Sequence, residues 1–220
     1  MLDDLDKTLE KLLKRELPPG LVEQVTITYA APGEQFPPTS VSLPAIDLFL
    51  YDVRENRELR SSEWTLDRGD DGMGIKRPAP VRVDCSYLIT AWVNAGSLTS
   101  AQEEHRLLGE TMRVIVRHPV IPSEFLQGKL RGQELDMSTV SIQPGHLQSL
   151  AEFWQALGGK PKAALNYRVT MALELFDAVS VGRLVTDKML QFGDAAQGQD
   201  RKSTRLNSSH PRLSRMPSSA

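Results

Sequence analysis

Leu2, Leu5, Leu9 and Leu12 recur at three- and four-residue intervals, and Leu13 widens the stripe. That spacing predicts an amphipathic helix over 2–16, stopped by Pro18, Pro19 and Gly20. The stripe is under two heptads long, so it predicts packing on its own domain rather than a coiled coil. "VEQVTITYAA" predicts a strand, and "PGEQFPPTSVSLP" a Pro-rich connection. "AIDLFLYDV" is a stronger strand, with Ile46, Leu48 and Leu50 on one face and Phe49 and Tyr51 on the other. Apolar character on both faces predicts a central strand. "RENRELR" leaves the sheet with charge, and "GDDGMGIKRPAP" reads as a mobile, solvated loop.

The second half carries strand and helix signals of its own. In "VRVDCSYLITAWV" the residues Val81, Val83, Cys85, Tyr87, Ile89, Ala91 and Val93 alternate cleanly. Ser100 and Glu103 form a capping-box pattern for a helix over 101–117, which His118-Pro119 stops. "PSEFLQGKL" reads as a helical turn and "STVSIQP" as a short strand. "HLQSLAEFWQALGG" predicts a helix with Leu147, Leu150, Trp154 and Leu157 on one stripe. "AALNYRVTMALELFDA" predicts a long strand in which Leu165, Tyr167, Val169, Met171, Leu173 and Leu175 alternate. There is no internal repeat. The fold expected is α+β in a single domain over 1–192. A mixed, mainly antiparallel sheet holds the strands at 44–53, 81–94 and 164–176. The helices at 101–117 and 146–157 pack on it through Leu108, Met112, Ile115, Leu150 and Trp154.

Composition changes the picture at one end. The chain of 220 residues has a net charge of -2. Residues 200–220 carry five basic residues and one acidic residue; the rest has 21 basic and 27 acidic residues, a net of -6. An acidic body gives no electrostatic reason to expect nucleic acid. Residues 193–220 are rich in Ser, Arg and Pro without apolar periodicity, and read as a disordered tail resembling a vector- or adapter-derived scar. The charged N-terminus is no signal peptide, and no apolar run approaches the roughly 20 residues of a membrane span. Assembly in the cytoplasm is expected.

The candidate chemistry is thin. Cys85 is the single cysteine, so an intrachain disulfide and a thiolate cluster are excluded, and its place in a strand predicts a small buried hydrophobe. Glu103, Glu104 and His105 are consecutive, so on a helix their side chains point about 100° apart and cannot share a metal. His105 falls on the stripe of Leu108, Met112 and Ile115, which predicts a histidine lying against the core. "DRGDDGMG" places Asp67, Asp71 and Gly72 at positions of a calcium loop, but Gly69 and Pro78 occupy two ligand positions. It also lacks the Lys-Ser/Thr of a phosphate loop. The charge run Arg54, Glu55, Asn56, Arg57, Glu58 and Arg60 reads either as a solvated edge or as a polar contact with a neighbouring subunit.

Six blocks in order carry a resemblance: "LFLYDVRENRELR", "YLITAW", "EEHRLLG", "HPVIPSEFLQGKL", "LQSLAEFWQALGG" and "NYRVTMALEL". Over residues 2–190 the chain resembles the N-terminal domain of cap, or tail-terminator, proteins of phage-tail-like contractile injection systems. The resemblance implies a bacterial structural protein, not an enzyme, needing neither cofactor nor metal. It implies a ring of identical copies, a hexamer, that ends tube and sheath at the distal tip of a particle that can be released. Longer members engage sheath through a C-terminal extension. The expected intersubunit or tube-facing contacts are Asp52, Arg54, Glu55, Asn56 and Arg60. The alternatives are a baseplate or adaptor component of the same machine, and a small-ligand enzyme with a site at Asp67–Lys76.

Overall fold

The computed structural model describes residues 1–33, 36–69, 72–94, 96, 99–143 and 150–183. The tail expected at 193–220 lies outside them. Helix α1 (Leu2–Glu16) is followed by the short α2 (Pro19–Val22) and by strands β1 (Thr26–Thr28) and β2 (Ala45–Glu55). Then come β3 (Trp64–Arg68), β4 (Met73–Pro78), β5 (Val81–Trp92) and helix α3 (Ser100–Arg117). Two 3₁₀ turns, Ser123–Phe125 and Gly128–Leu130, lead to β6 (Ser138–Ser141), α4 (Leu150–Ala156), β7 (Ala164–Leu173) and β8 (Val179–Arg183).

Five strands form one sheet in the order β1-β2-β5-β7-β6. β1 pairs with β2 in parallel and the other pairings are antiparallel. The α+β class and the joining of the three long strands in one mainly antiparallel sheet agree with the pattern reading. Register puts Leu48, Ile89 and Leu165 in one row, and Cys85 beside Val169. Along β5 and β7 this face is apolar, and the leucine stripe of α1 and the inner face of α3 close the core over it. Leu5, Leu9, Leu12 and Leu13 are all buried there.

Polar groups fasten α1. Thr8 Oγ1 accepts the Gln127 N–H at 3.0 Å, and the Asp4 carboxylate accepts the Lys129 N–H at 3.2 Å. Tyr87 O–H donates to the Asp6 carboxylate at 2.8 Å. Gly128 sits between these contacts at φ 53°, and a Cβ there would stand 1.9 Å from an Asp4 oxygen. Only glycine fits both the backbone conformation and the close approach.

Several expectations need correcting. The strand expected over 22–31 is three residues long. The α3 N-cap is Thr99, one residue earlier than the capping box placed it, with the Thr99 hydroxyl donating to Glu103 Oε1 at 2.9 Å. The buried stripe of α3 is Leu107, Thr111, Val114 and Ile115. Met112 is 38% exposed and His105 is exposed, not laid against the core. The misplacement has a cause: Thr111 reads as polar, yet its hydroxyl donates to the Leu107 carbonyl at 2.9 Å and so enters the core satisfied. Trp154 is buried as expected, whereas the Leu150 side chain and residues 144–149 lie outside the described set. Within the segment read as a mobile loop over 69–80, Met73–Pro78 is strand β4, which joins β3 and β8 in a second, three-stranded antiparallel sheet.

Candidate assembly surface

The register of β2 on β5 shifts between Leu50 and Asp52. This bulge sets the surface chemistry. Without it, strict alternation would place Asp52 and Arg54 on the core face with Ile46, Leu48 and Leu50. The extra residue turns Val53 toward Cys85 and sends Asp52 and Arg54 to the opposite face, opposite Ser86 and Asp84.

That opposite face divides along the strands. At one end Phe153 of α4 covers Phe49 and Tyr51, with ring centroids 6.2 Å apart in each pair. At the other end lies a polar cluster centred on Asp84, which is buried. Its carboxylate accepts the Thr170 hydroxyl at 2.7 Å and the Asn56 amide at 3.1 Å, with Arg168 Nε at 3.9 Å. Arg54 Nε lies 2.7 Å from Asp52 on this face, whereas Glu55 stands opposite Val83 on the other face, where Arg60 Nε lies 3.5 Å from it. The five expected contact residues thus occupy one end of the sheet in two roles. Asn56 turns inward and fixes the strand exit through Asp84, while Asp52, Arg54, Glu55 and Arg60 form outward ion pairs. Sequence reasoning missed Asp84 and Thr170, because each reads as one more alternating position in a strand.

Beyond this cluster the second sheet projects three large apolar side chains. Trp64, Leu66 and Val179 are each more than half exposed. Lys76 Nζ stands 4.4 Å from the Trp64 ring centroid. In the stretch Asp67–Lys76, the alternative enzyme site, the described strand residues belong to antiparallel β3 and β4, with Asp67 opposite Ile75 and Leu66 opposite Lys76.

Among the described residues the remaining reactive groups do not converge. Cys85 is fully buried, and burial pushes its thiol up to about 12, away from thiolate chemistry. His118 lies 3.4 Å from Glu16 and edge-on to Phe125, far along α3 from His105. Asp47 is fully buried, and neither carboxylate oxygen has a hydrogen-bond partner among the described residues. Burial raises its carboxyl to about 8. Among the described residues no group of three His, Cys, Asp or Glu could hold a metal ion. No described helix is long and apolar enough to cross a membrane.

Comparison with known proteins places this architecture. The chain is similar to the sheath/tube terminator of PVC, an extracellular contractile injection system, solved by cryo-EM in the extended state. The TM-score is 0.62 with 24% identity, over 90% of this chain and 66% of that one. It is also similar to the tube-terminating cap of the anti-feeding prophage, with a TM-score of 0.59 and 26% identity over 88% of this chain and 61% of that one. The chain therefore spans less than two thirds of the length of either structure. No curated protein matches it. The Pvc16 N-terminal domain family matches residues 4–187, which include every described strand and helix except the first residues of α1. The chain belongs to the Pvc16 N-terminal domain family.

Proposed function

We propose that this chain is a structural cap, a tail terminator, of a contractile injection system. Identical copies form a ring, a hexamer by family analogy, that ends the growth of tube and sheath. A contractile tail stacks symmetric rings whose last member still exposes a surface for the next. A terminator matches that ring on one face and offers no further docking surface on the other. The observation that carries this reading is the family match over nearly the whole described fold, together with two similar structures that are themselves terminators.

The role is assembly rather than catalysis. The polar side chains at the sheet end are tied in ion pairs and hydrogen bonds to one another, and the buried thiol is held protonated. Asp52, Arg54, Glu55, Asn56 and Arg60 serve as intersubunit or tube-facing contacts. Subunits fold in the bacterial cytoplasm and leave it as part of the particle. Both similar structures extend beyond the span matched here, so contacts made elsewhere in those chains are not carried over.

Deletion in the native host, followed by electron microscopy of purified particles, tests the reading. The expected result is absent particles, or tubes and sheaths of uncontrolled length with no distal cap. Capped particles of normal length that lack a baseplate would move the chain to the baseplate or adaptor role.

A further inference from the structure

The three-stranded sheet has two unlike faces. Register puts Trp64, Leu66 and Arg68 of β3 on the same side as Lys76 of β4 and Val179 of β8. The contact of Lys76 with the Trp64 ring confirms the side. Trp64 is 51%, Leu66 54% and Val179 54% exposed. The face is therefore apolar with two cations, and it carries no acidic residue among those described. Antiparallel sheets commonly bury one face, and three strands need an apolar surface covered to be stable. Here no described residue of the chain covers that surface.

A second apolar surface lies at the root of the same sheet. A groove of about 250 Å³ is lined by Leu135, Leu175 and Phe176, with Glu134 and Glu174 at its rim. Phe176 is 71% exposed. Arg77 lies 3.5 Å from Glu134, while Glu174 has no ion-pair partner among the described residues. Thr65 and Arg77 also line this groove, and they alternate with Trp64 and Lys76 along their strands. The groove thus opens on the side of the small sheet away from the apolar, basic face, so one copy cannot fill its own groove with that face.

We infer that the Trp64–Leu66–Val179 face seats in the Leu135–Leu175–Phe176 groove of a second copy of this chain, head to tail. The inference rests on the ring reading above and names the surfaces that close the ring. Charge selects the occupant: Lys76 and Arg68 meet the acidic rim carrying Glu174. A symmetric pairing of two such faces would set like charges against each other at low dielectric, which is costly. A heterologous contact between two different patches repeats around an axis and closes into a ring when its rotation divides the full turn, which a self-complementary patch does not do beyond a pair.

The test uses the full chain and reads its mass by sedimentation and native mass spectrometry. L66E/V179E is expected to lose the oligomer with unchanged circular dichroism and melting temperature, because both positions are exposed. K76E should lose it as well, and K76E/E174K should recover it, a rescue that a folding defect would not give. An L66C chain mixed with an F176C chain should form a disulfide-linked dimer, whereas L66C alone should not. An oligomer that survives in L66E/V179E overturns this contact and leaves the ring to other surfaces. A wild-type chain that is monomeric at every concentration overturns both the contact and the ring. A monomeric wild type that melts lower as L66E/V179E would show the face covered by residues 184–220 of its own chain, which also overturns the contact.

Discussion

Asp47 sits in an environment at odds with its chemistry. It lies in β2 between Thr28 of β1 and Thr90 of β5, fully buried and without a hydrogen-bond partner among the described residues. Charging it there means stripping water from a carboxylate with nothing to replace it, so burial raises its carboxyl to about 8. An unfolded aspartate loses its proton near about 3.9. Between these values the folded state holds the extra proton, so this group's contribution to stability is full in acid. It is lost progressively as pH rises through about 8. D47N removes the titration while keeping the shape. The melting temperature of the variant should exceed that of the wild type by a margin that grows with pH, reaching a few kcal/mol in free energy. Parallel melting curves for the two proteins across this window would show that another group sets the pH dependence.

At the scale of elements, the stability of α1 comes from its leucine stripe and its placement from polar contacts to the turns and strands around it. Thr8 is fully buried; its hydroxyl donates to the Asp4 carbonyl at 2.7 Å and accepts the Gln127 N–H. T8V keeps the volume and leaves that N–H without its acceptor. Such a loss costs about 1–3 kcal/mol, which a urea melt would read as a lower midpoint at constant slope. An unchanged midpoint would mean that the Gln127 N–H finds another acceptor and that Thr8 adds nothing to holding α1 against the 3₁₀ turns. Helix α3 is set by a comparable device, since the internal bond of Thr111 admits a threonine to the buried face and turns Met112 outward.

For the whole molecule, the surface rather than the core carries the proposed role. Arg54 and Arg60 each pair with a carboxylate on the same exposed end of the sheet, where single pairs contribute roughly 0–1 kcal/mol. R54E/R60E should therefore leave the melting temperature nearly unchanged while particles lose their distal cap in electron micrographs. Normal capped particles from this variant would remove the charged strand exit from the set of assembly contacts, without touching the small-sheet contact.

Much of the fold is legible in the sequence because its strongest signals are local. The bounds of α1 follow from a leucine period and a Pro-Pro-Gly stop, and the long strands β5 and β7 from alternation sustained over ten or more residues. The burial of Cys85 follows from its place in that alternation. The three-stranded sheet is not legible, because β3 and β4 are short, carry Gly, Pro and charge, and gain strand geometry only by pairing with each other and with β8, about a hundred residues later. The exposure of His105 depends on which side of α3 meets the sheet, and a buried threonine tips that choice. The side on which Asp52 and Arg54 emerge depends on a single extra residue opposite β5, a property of the pairing rather than of either strand. Sequence alone determined the elements whose energy is local and the blocks that mark the family. Tertiary structure decided which faces those elements present, because facing is settled by partners distant along the chain.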